Sequence, residues 1–365
     1  MTLSSERAAA RAEREPEWWI VAPPAAGSFD GIAHFSAELA AAINEIEPAK
    51  VVSSHAGLAE AAGKNPKGIL LQYYPGAFVT PQLPKLLSTL SRVRASGVPV
   101  VTTVHEYWPP SSGSLKRGVW RWLCRKALAA VIARSSAVVA TTPYAAGQLE
   151  EAGLGPAQFT PVIPIGTGIK VSSTDRSASS GGHAPLTFVM FGQPGIFDRA
   201  VVSHVARWVA QQDPRPRLIW IARDADEMRA WWRDLGAPDV VDIHGGLPAE
   251  RVSQLLSEAS AGFAVYDDGA STRRSSLAAL MAHGLPIVAL DGRFTDDRLR
   301  KSGAFLFSPL GDGPAFVANA ERLISDPALR VSMASAMSAF YEKEISWPRI
   351  AAKYLEILRA PVPPI

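Results

Sequence analysis

One cysteine, Cys124, stands among 365 residues, so no intramolecular disulfide framework is available and a reducing compartment is expected. No apolar run reaches the roughly 18 residues needed to span a bilayer. Residues 1–17 are charged and alanine-rich, without the apolar stretch of a secretory signal. The expected location is cytoplasmic, with peripheral contact to the inner face of the membrane left open. The seven histidines are scattered and no Cys/His cluster occurs, so no metal site is expected. A net charge of +3 lacks the dense basic face of a dedicated nucleic-acid binder, and no nucleic-acid partner is expected. A sequence pI near 9.0 leaves a surface that does not repel anionic ligands or lipids.

What is present is apolar and periodic. With 47% hydrophobic residues, a chain of this length suggests two domains of roughly 150 to 200 residues. Short apolar runs alternate with helical spacings in both halves. Strands are predicted at Trp18–Ala22, Val51–Ser54, Ile69–Tyr74, Pro99–Trp108 and Ala137–Thr142, then at Thr187–Phe191, Arg217–Ala222, Val240–Gly245, Ala261–Tyr266 and Pro286–Leu290. Helices are predicted at 32–43, 83–95, 115–134, 144–152, 314–324, 327–344 and 347–358. This is an α/β chain of two doubly wound, Rossmann-like domains facing a central cleft. The expected division is a flexible arm (1–17), an N-terminal domain (18–168), a Ser/Gly-rich linker (169–184), a C-terminal domain (185–345) and a final helix (346–365) returning to the first domain.

The stretch Tyr266 to Leu290 carries the strongest chemical signal. A polar turn, Asp267 to Thr272, delivers Arg273 and Arg274 to the start of a short Ala/Leu/Met helix opened by Ser275. Unpaired N–H groups at a helix start, with two fixed cations beside them, suit a phosphate or diphosphate. Asp267, Asp268 or Asp296 could instead pair with one arginine. In the first half, Asp30 or Ser28 can cap the helix that follows Gly31, where backbone can approach a ligand; a plain tight turn reads equally well. His105 and Glu106 end a strand, where open parallel sheets bind ligands, or they are loop residues. The helix 115–134 is basic and carries tryptophans, which suits either an anionic bilayer surface or a packed helix with a solvated face.

In order and spacing, DGIAHFSAEL, ILLQYYPGAF, PVVTTVHE, SSAVVATTPY, VIPIGTGI, FVMFGQP and AALMAHGLPIVAL resemble the GT-B glycosyltransferases, and within them the retaining family 4 (group 1) enzymes. The resemblance covers the chain from about Trp18 onward. It implies that Gly31 approaches the donor diphosphate, that His105 lies against the transferred sugar, that the loop after Phe191 helps hold phosphate, and that Gly166 lies at the hinge. Two departures stand out. Gln193 replaces an arginine after the glycine of that loop, leaving Arg199 as the candidate cation. Ser271 and Ala279 occupy the places of two glutamates. Ser271, Arg273, Arg274 and Ser275 resemble the variant of this loop in which an arginine pair replaces them, with Thr272 between and Asp267 or Asp268 as the available acid.

The function so implied is a metal-independent, retaining transfer of a sugar, a hexose by expectation, from a nucleotide-diphosphate co-substrate to a hydroxyl of a glycan, a lipid-linked or a small-molecule acceptor, with no cofactor. Two other readings remain: an inactive sugar-nucleotide-binding subunit, because both glutamates are missing, and an epimerase or hydrolase on the same fold.

Overall fold

The structure is a computed structural model, and it describes residues 17–23, 31–53, 58, 59, 64, 66–79, 81–105, 115–154, 160–171 and 185–361. Residues 1–16 of the expected arm, Asp30, Glu106 and residues 172–184 of the expected linker lie outside the described residues. The chain divides into two compact units. One comprises Met1–Thr141, Ala145–Ile163 and Ile350–Ile365; the other Thr142–Tyr144 and Pro164–Arg349.

Along the first part of the chain come β1 (Trp18–Ala22), α1 (Gly31–Asn44), β2 (Ala49–Ser53), β3 (Gly68–Tyr73), α2 (Pro75–Phe78), α3 (Leu83–Ala95), β4 (Val100–Val104), α4 (Leu115–Ile132), β5 (Ala137–Ala140) and α5 (Pro143–Glu151). The five strands form a parallel sheet in the order β2-β1-β3-β4-β5. β1, β3 and β4 are buried along their whole length. A parallel sheet covered on both faces needs apolar runs rather than alternation, which is why WWIVA and VVTTV become strands. α1 turns Phe35, Leu39 and Ile43, one turn apart, into the core.

From Ile350 onward the last helix, α13 (Trp347–Arg359), packs within the first unit. There Ile350, Tyr354 and Leu358 are buried, and the Tyr354 hydroxyl meets Thr103 Oγ1 at 2.9 Å. Glu47 ties the end of this helix to the sheet, accepting bonds from Arg359, Lys67 and, at 2.8 Å, Trp18 Nε1. Burial pushes its carboxyl up, but the bonds from Lys67, Arg359 and Trp18 outweigh that and hold it at about 2. The folded value lies below the ordinary one. The contribution is therefore complete above about pH 4.5 and disappears as pH falls toward 2. Glu47→Gln is expected to cost about 1 kcal/mol at pH 7, allowing for solvent screening of a surface cluster. Urea titrations at pH 7 and pH 3 should show the deficit shrinking in acid.

The second part runs β6 (Thr187–Phe191), α6 (Arg199–Gln211), β7 (Arg217–Ala222), α7 (Ala225–Asp234), β8 (Val241–Gly245), α8 (Ala249–Glu258), β9 (Ala261–Ala264), α9 (Ser275–Ala282), β10 (Ile287–Asp291), α10 (Asp297–Lys301), β11 (Phe305–Pro309), α11 (Gly313–Ser325) and α12 (Pro327–Glu344) before α13. Its sheet is also parallel, in the order β11-β10-β9-β6-β7-β8. The order reverses between β6 and β9, which makes the loops beyond those two strands a topological switch point.

Two expectations are corrected here. The strand expected to reach Tyr266 stops at Ala264, because Tyr266 leaves the ladder for an antiparallel bridge with Phe197. The second sheet also has a sixth strand, β11, which pairs only with β10 and carries the mixed exposure of an edge.

Candidate functional site

Two loops meet at the switch point of the second unit, one after β6 and one after β9. Asp198 N donates to Val265 O at 2.8 Å and Asp267 N to Ile196 O at 3.0 Å, so backbone bonds join them. Asp198 also caps α6, taking Ala200 N and Val201 N, and holds Gly311 N at 3.0 Å. Tyr266, fully buried, donates from its hydroxyl to Phe191 O at 3.2 Å and lies 3.1 Å from Ser276 Oγ. It therefore fastens the end of β6 to the first turn of α9.

The arginine pair is held from below by one carboxylate. Asp268 accepts from Arg274 at 2.5 Å and from Arg273, while the Arg274 guanidinium lies 4.5 Å from the Tyr266 ring and that of Arg273 lies 4.0 Å from Phe294. Of the three carboxylates that could have paired with the arginines, Asp268 takes both. Asp296 instead caps α10 and pairs with Arg298. Asp267 is exposed; burial first, and the neighbouring Asp268 charge second, push its carboxyl up. Two guanidinium groups on one carboxylate leave a net positive charge, at the start of a helix that no side chain caps.

Hydrogen-bonding groups are also left over. Arg274 Nε and Ser271 Oγ are buried without a partner among the described residues, and so is Gln193 Oε1 at the start of the β6 loop. Buried polar groups are normally satisfied, so the two orphaned donors, Arg274 Nε and Ser271 Oγ, beside a net positive charge suit an anionic ligand. Thr272 contributes its carbonyl, which accepts from Ile165 N at 2.8 Å. The next residue, Gly166, lies under Trp347, where a Cβ would come within 2.7 Å of the ring. Trp347 Nε1 donates to Thr167 O at 2.7 Å.

Gly269 shapes the turn. Its φ is +94°, and a Cβ there would lie 2.5 Å from Gly292 N and Thr295 Oγ1. Gly269→Ala is expected to destabilise the second unit by about 2 kcal/mol or more and to weaken anion binding with it. Thermal unfolding with and without pyrophosphate checks both.

Arg199, expected beside the phosphate, belongs instead to α7: it pairs with Asp234 at 2.8 Å and lies 5.0 Å from the Trp231 ring. Its position as the first residue of α6, with Asp198 turned inward as the cap, directs it there. An Asp-x-Asp sequence not anticipated above, Asp224-Ala225-Asp226, caps α7 and pairs with Arg229. Among the described residues no three His, Cys, Asp or Glu side chains converge as a metal site would require.

In the first unit, His105 follows β4, its backbone N donating to Tyr73 O at 3.1 Å. Its Nε2 meets Gln72 Oε1 at 2.7 Å, and its ring stands edge-on to Phe35 at 5.3 Å. Gly31 opens α1 one turn before Phe35, with nothing within 4 Å of where a Cβ would stand. Gln72, the residue that orients His105, was not anticipated, because a lone amide in an apolar strand reads as core; nor were the platforms Tyr266 and Phe294.

Residues 18–166 match the family model described as a glycosyl transferase 4-like domain. That stretch is similar to such a domain, and the chain as a whole shares the fold of GT-B glycosyltransferases. The likeness in fold extends over the chain as a whole. HepE of Anabaena, solved with UDP and glucose, is 15% identical, with 94% of this chain and 99% of that one covered at a TM-score of 0.66. Sucrose-phosphate synthase of Thermosynechococcus elongatus is 15% identical over 95% and 98%, TM-score 0.65. A glycosyltransferase of Rickettsia africae is 12% identical over 95% and 98%, TM-score 0.68. No curated protein matches the sequence.

Proposed function

We propose that the protein is a retaining, metal-independent glycosyltransferase whose donor is a sugar on a nucleoside diphosphate. The observation that carries this reading is the switch-point loop of the second unit, where Asp268 orders two arginines and leaves a net positive charge. In the proposed reaction the bond between the anomeric carbon and the diphosphate oxygen breaks and a bond to the acceptor hydroxyl oxygen forms on the same face. The acceptor's proton passes to the departing diphosphate. The anomeric carbon becomes oxocarbenium-like, and negative charge grows on the leaving group. Arg274, Arg273 and the α9 N-terminus would stabilise that charge, and Ser271, Thr272, Ser275 and Gln193 would line the phosphates. Arg199 would join only by leaving Asp234, an exposed pair worth about 0 to 1 kcal/mol.

UDP is the first donor base to try, since HepE was solved with UDP. The acceptor class, whether glycan, lipid-linked or small molecule, is left to the assay. Incubation with UDP-sugars and an acceptor panel, followed by NMR of the product, is expected to show a retained anomeric configuration and turnover unaffected by EDTA. Inversion, or loss of turnover with EDTA, would remove those parts of the proposal. A second reading, an epimerase, rests on the fold likeness to a UDP-N-acetylglucosamine 2-epimerase from Listeria monocytogenes at a TM-score of 0.57. Conversion of the donor without any acceptor would support it instead.

A further inference from the structure

We propose that the first unit docks on an anionic phospholipid bilayer through the outward face of α4 and the adjoining α3. The inference goes beyond sugar transfer and does not depend on it. α4 buries Cys124, Ala127, Leu128 and Val131, as a packed helix should. Its first half nevertheless leaves four large apolar side chains in water: Val119, 53% exposed, Trp122, 57% exposed, and also Trp120 and Leu123. At 100° per residue, Lys116, Val119, Leu123 and Lys126 fall on one stripe, with Trp120 and Trp122 on either side. Lys116, Arg121, Arg125 and Lys126 are all exposed, and the helix contains no carboxylate. A solvated cationic face alone does not account for two exposed tryptophans.

The neighbouring chain has the same charge bias. α3 packs against α4 and presents Lys85 and Arg92 to solvent. From Ala61 to Leu149 the sequence has eleven lysines and arginines against one carboxylate, Glu106, so the modest net charge of +3 conceals a strongly basic segment balanced elsewhere. Basic side chains around tryptophan and aliphatic groups match the layering of a bilayer surface: anionic headgroups outside, acyl chains beneath, and indole rings at the boundary. Protein interfaces are depleted of lysine at their centre, and a nucleic acid gives Val119 and Leu123 nothing to bury against. Among the described residues no helix is long and apolar enough to cross a membrane, so the contact is with the surface.

The test is co-sedimentation of the full chain with vesicles of phosphatidylcholine alone or with about one third phosphatidylglycerol. Binding to the mixed vesicles is expected to exceed binding to the neutral ones at least tenfold. Lys116→Glu with Lys126→Glu should reduce it by more than tenfold, since each cation near such a surface is worth roughly fivefold. Trp120→Ser with Trp122→Ser should reduce it about tenfold even at high salt, where charge attraction is screened. Far-UV circular dichroism and nucleotide binding should be unchanged in both variants, which separates this result from the fate of the transfer reaction. Equal binding to neutral vesicles, no binding, or variants that sediment like the parent would overturn the proposal. So would tighter association with RNA or with a second copy of the chain that the tryptophan changes leave untouched.

Discussion

Arg274→Ala is expected to lower the rate of sugar transfer by about 10²-fold or more, with a smaller change in KM for the donor. The side chain is 13% exposed, close to the Asp268 carboxylate and stacked on Tyr266, so its position is fixed before any ligand arrives. A preordered charge of this kind acts most strongly on charge that develops during the reaction, which in the proposed transfer is the growing negative charge of the diphosphate. Arg274→Lys keeps the charge and loses the planar fork, and should fall between the two. Single-turnover rates with saturating donor check the series. A fall in donor affinity with kcat intact would mean that the arginine only binds.

Asp268→Ala should have the largest effect on stability. It removes the single carboxylate that neutralises two neighbouring guanidinium groups, only 12% exposed itself, and so leaves partly buried charges without a partner. The expected loss is about 3 kcal/mol, which for a unit of this size corresponds to a fall of roughly 6 to 12 °C in its melting midpoint. Pyrophosphate should restore more stability to this variant than to the parent, because it supplies the missing negative charge. Calorimetric scans with and without pyrophosphate decide it. Equal shifts in the two proteins would mean that the ligand binds away from the arginines.

The fold was legible because strands buried on both sides announce themselves as apolar runs. TFVMF and RLIWIA became β6 and β7 at the expected bounds, and the helix at 327–344 begins at the proline that starts its first turn. The arginine pair was legible as a local cluster beside a helix start. What could not be read depends on contacts distant in sequence. Asp267, Asp268 and Asp296 are equal candidates until the turn at Gly269 is folded against Gly292 and Thr295. Gln72 meets His105 across 33 positions. Arg199 looked available until α7 placed Asp234 beside it, 35 positions away. Phe294 gained meaning only as the ring beneath Arg273.

The central claim is that the loop around Arg273 and Arg274 holds the diphosphate of a nucleotide sugar. Isothermal titration of UDP and of uridine into the parent and into the Arg273→Ala, Arg274→Ala double variant tests it directly. The predicted result is tight UDP binding by the parent, weakened about a hundredfold or more in the variant through loss of charge-assisted bonds, with the weak uridine affinity unchanged. Equal losses for UDP and uridine, or UDP binding indifferent to both substitutions, would contradict it.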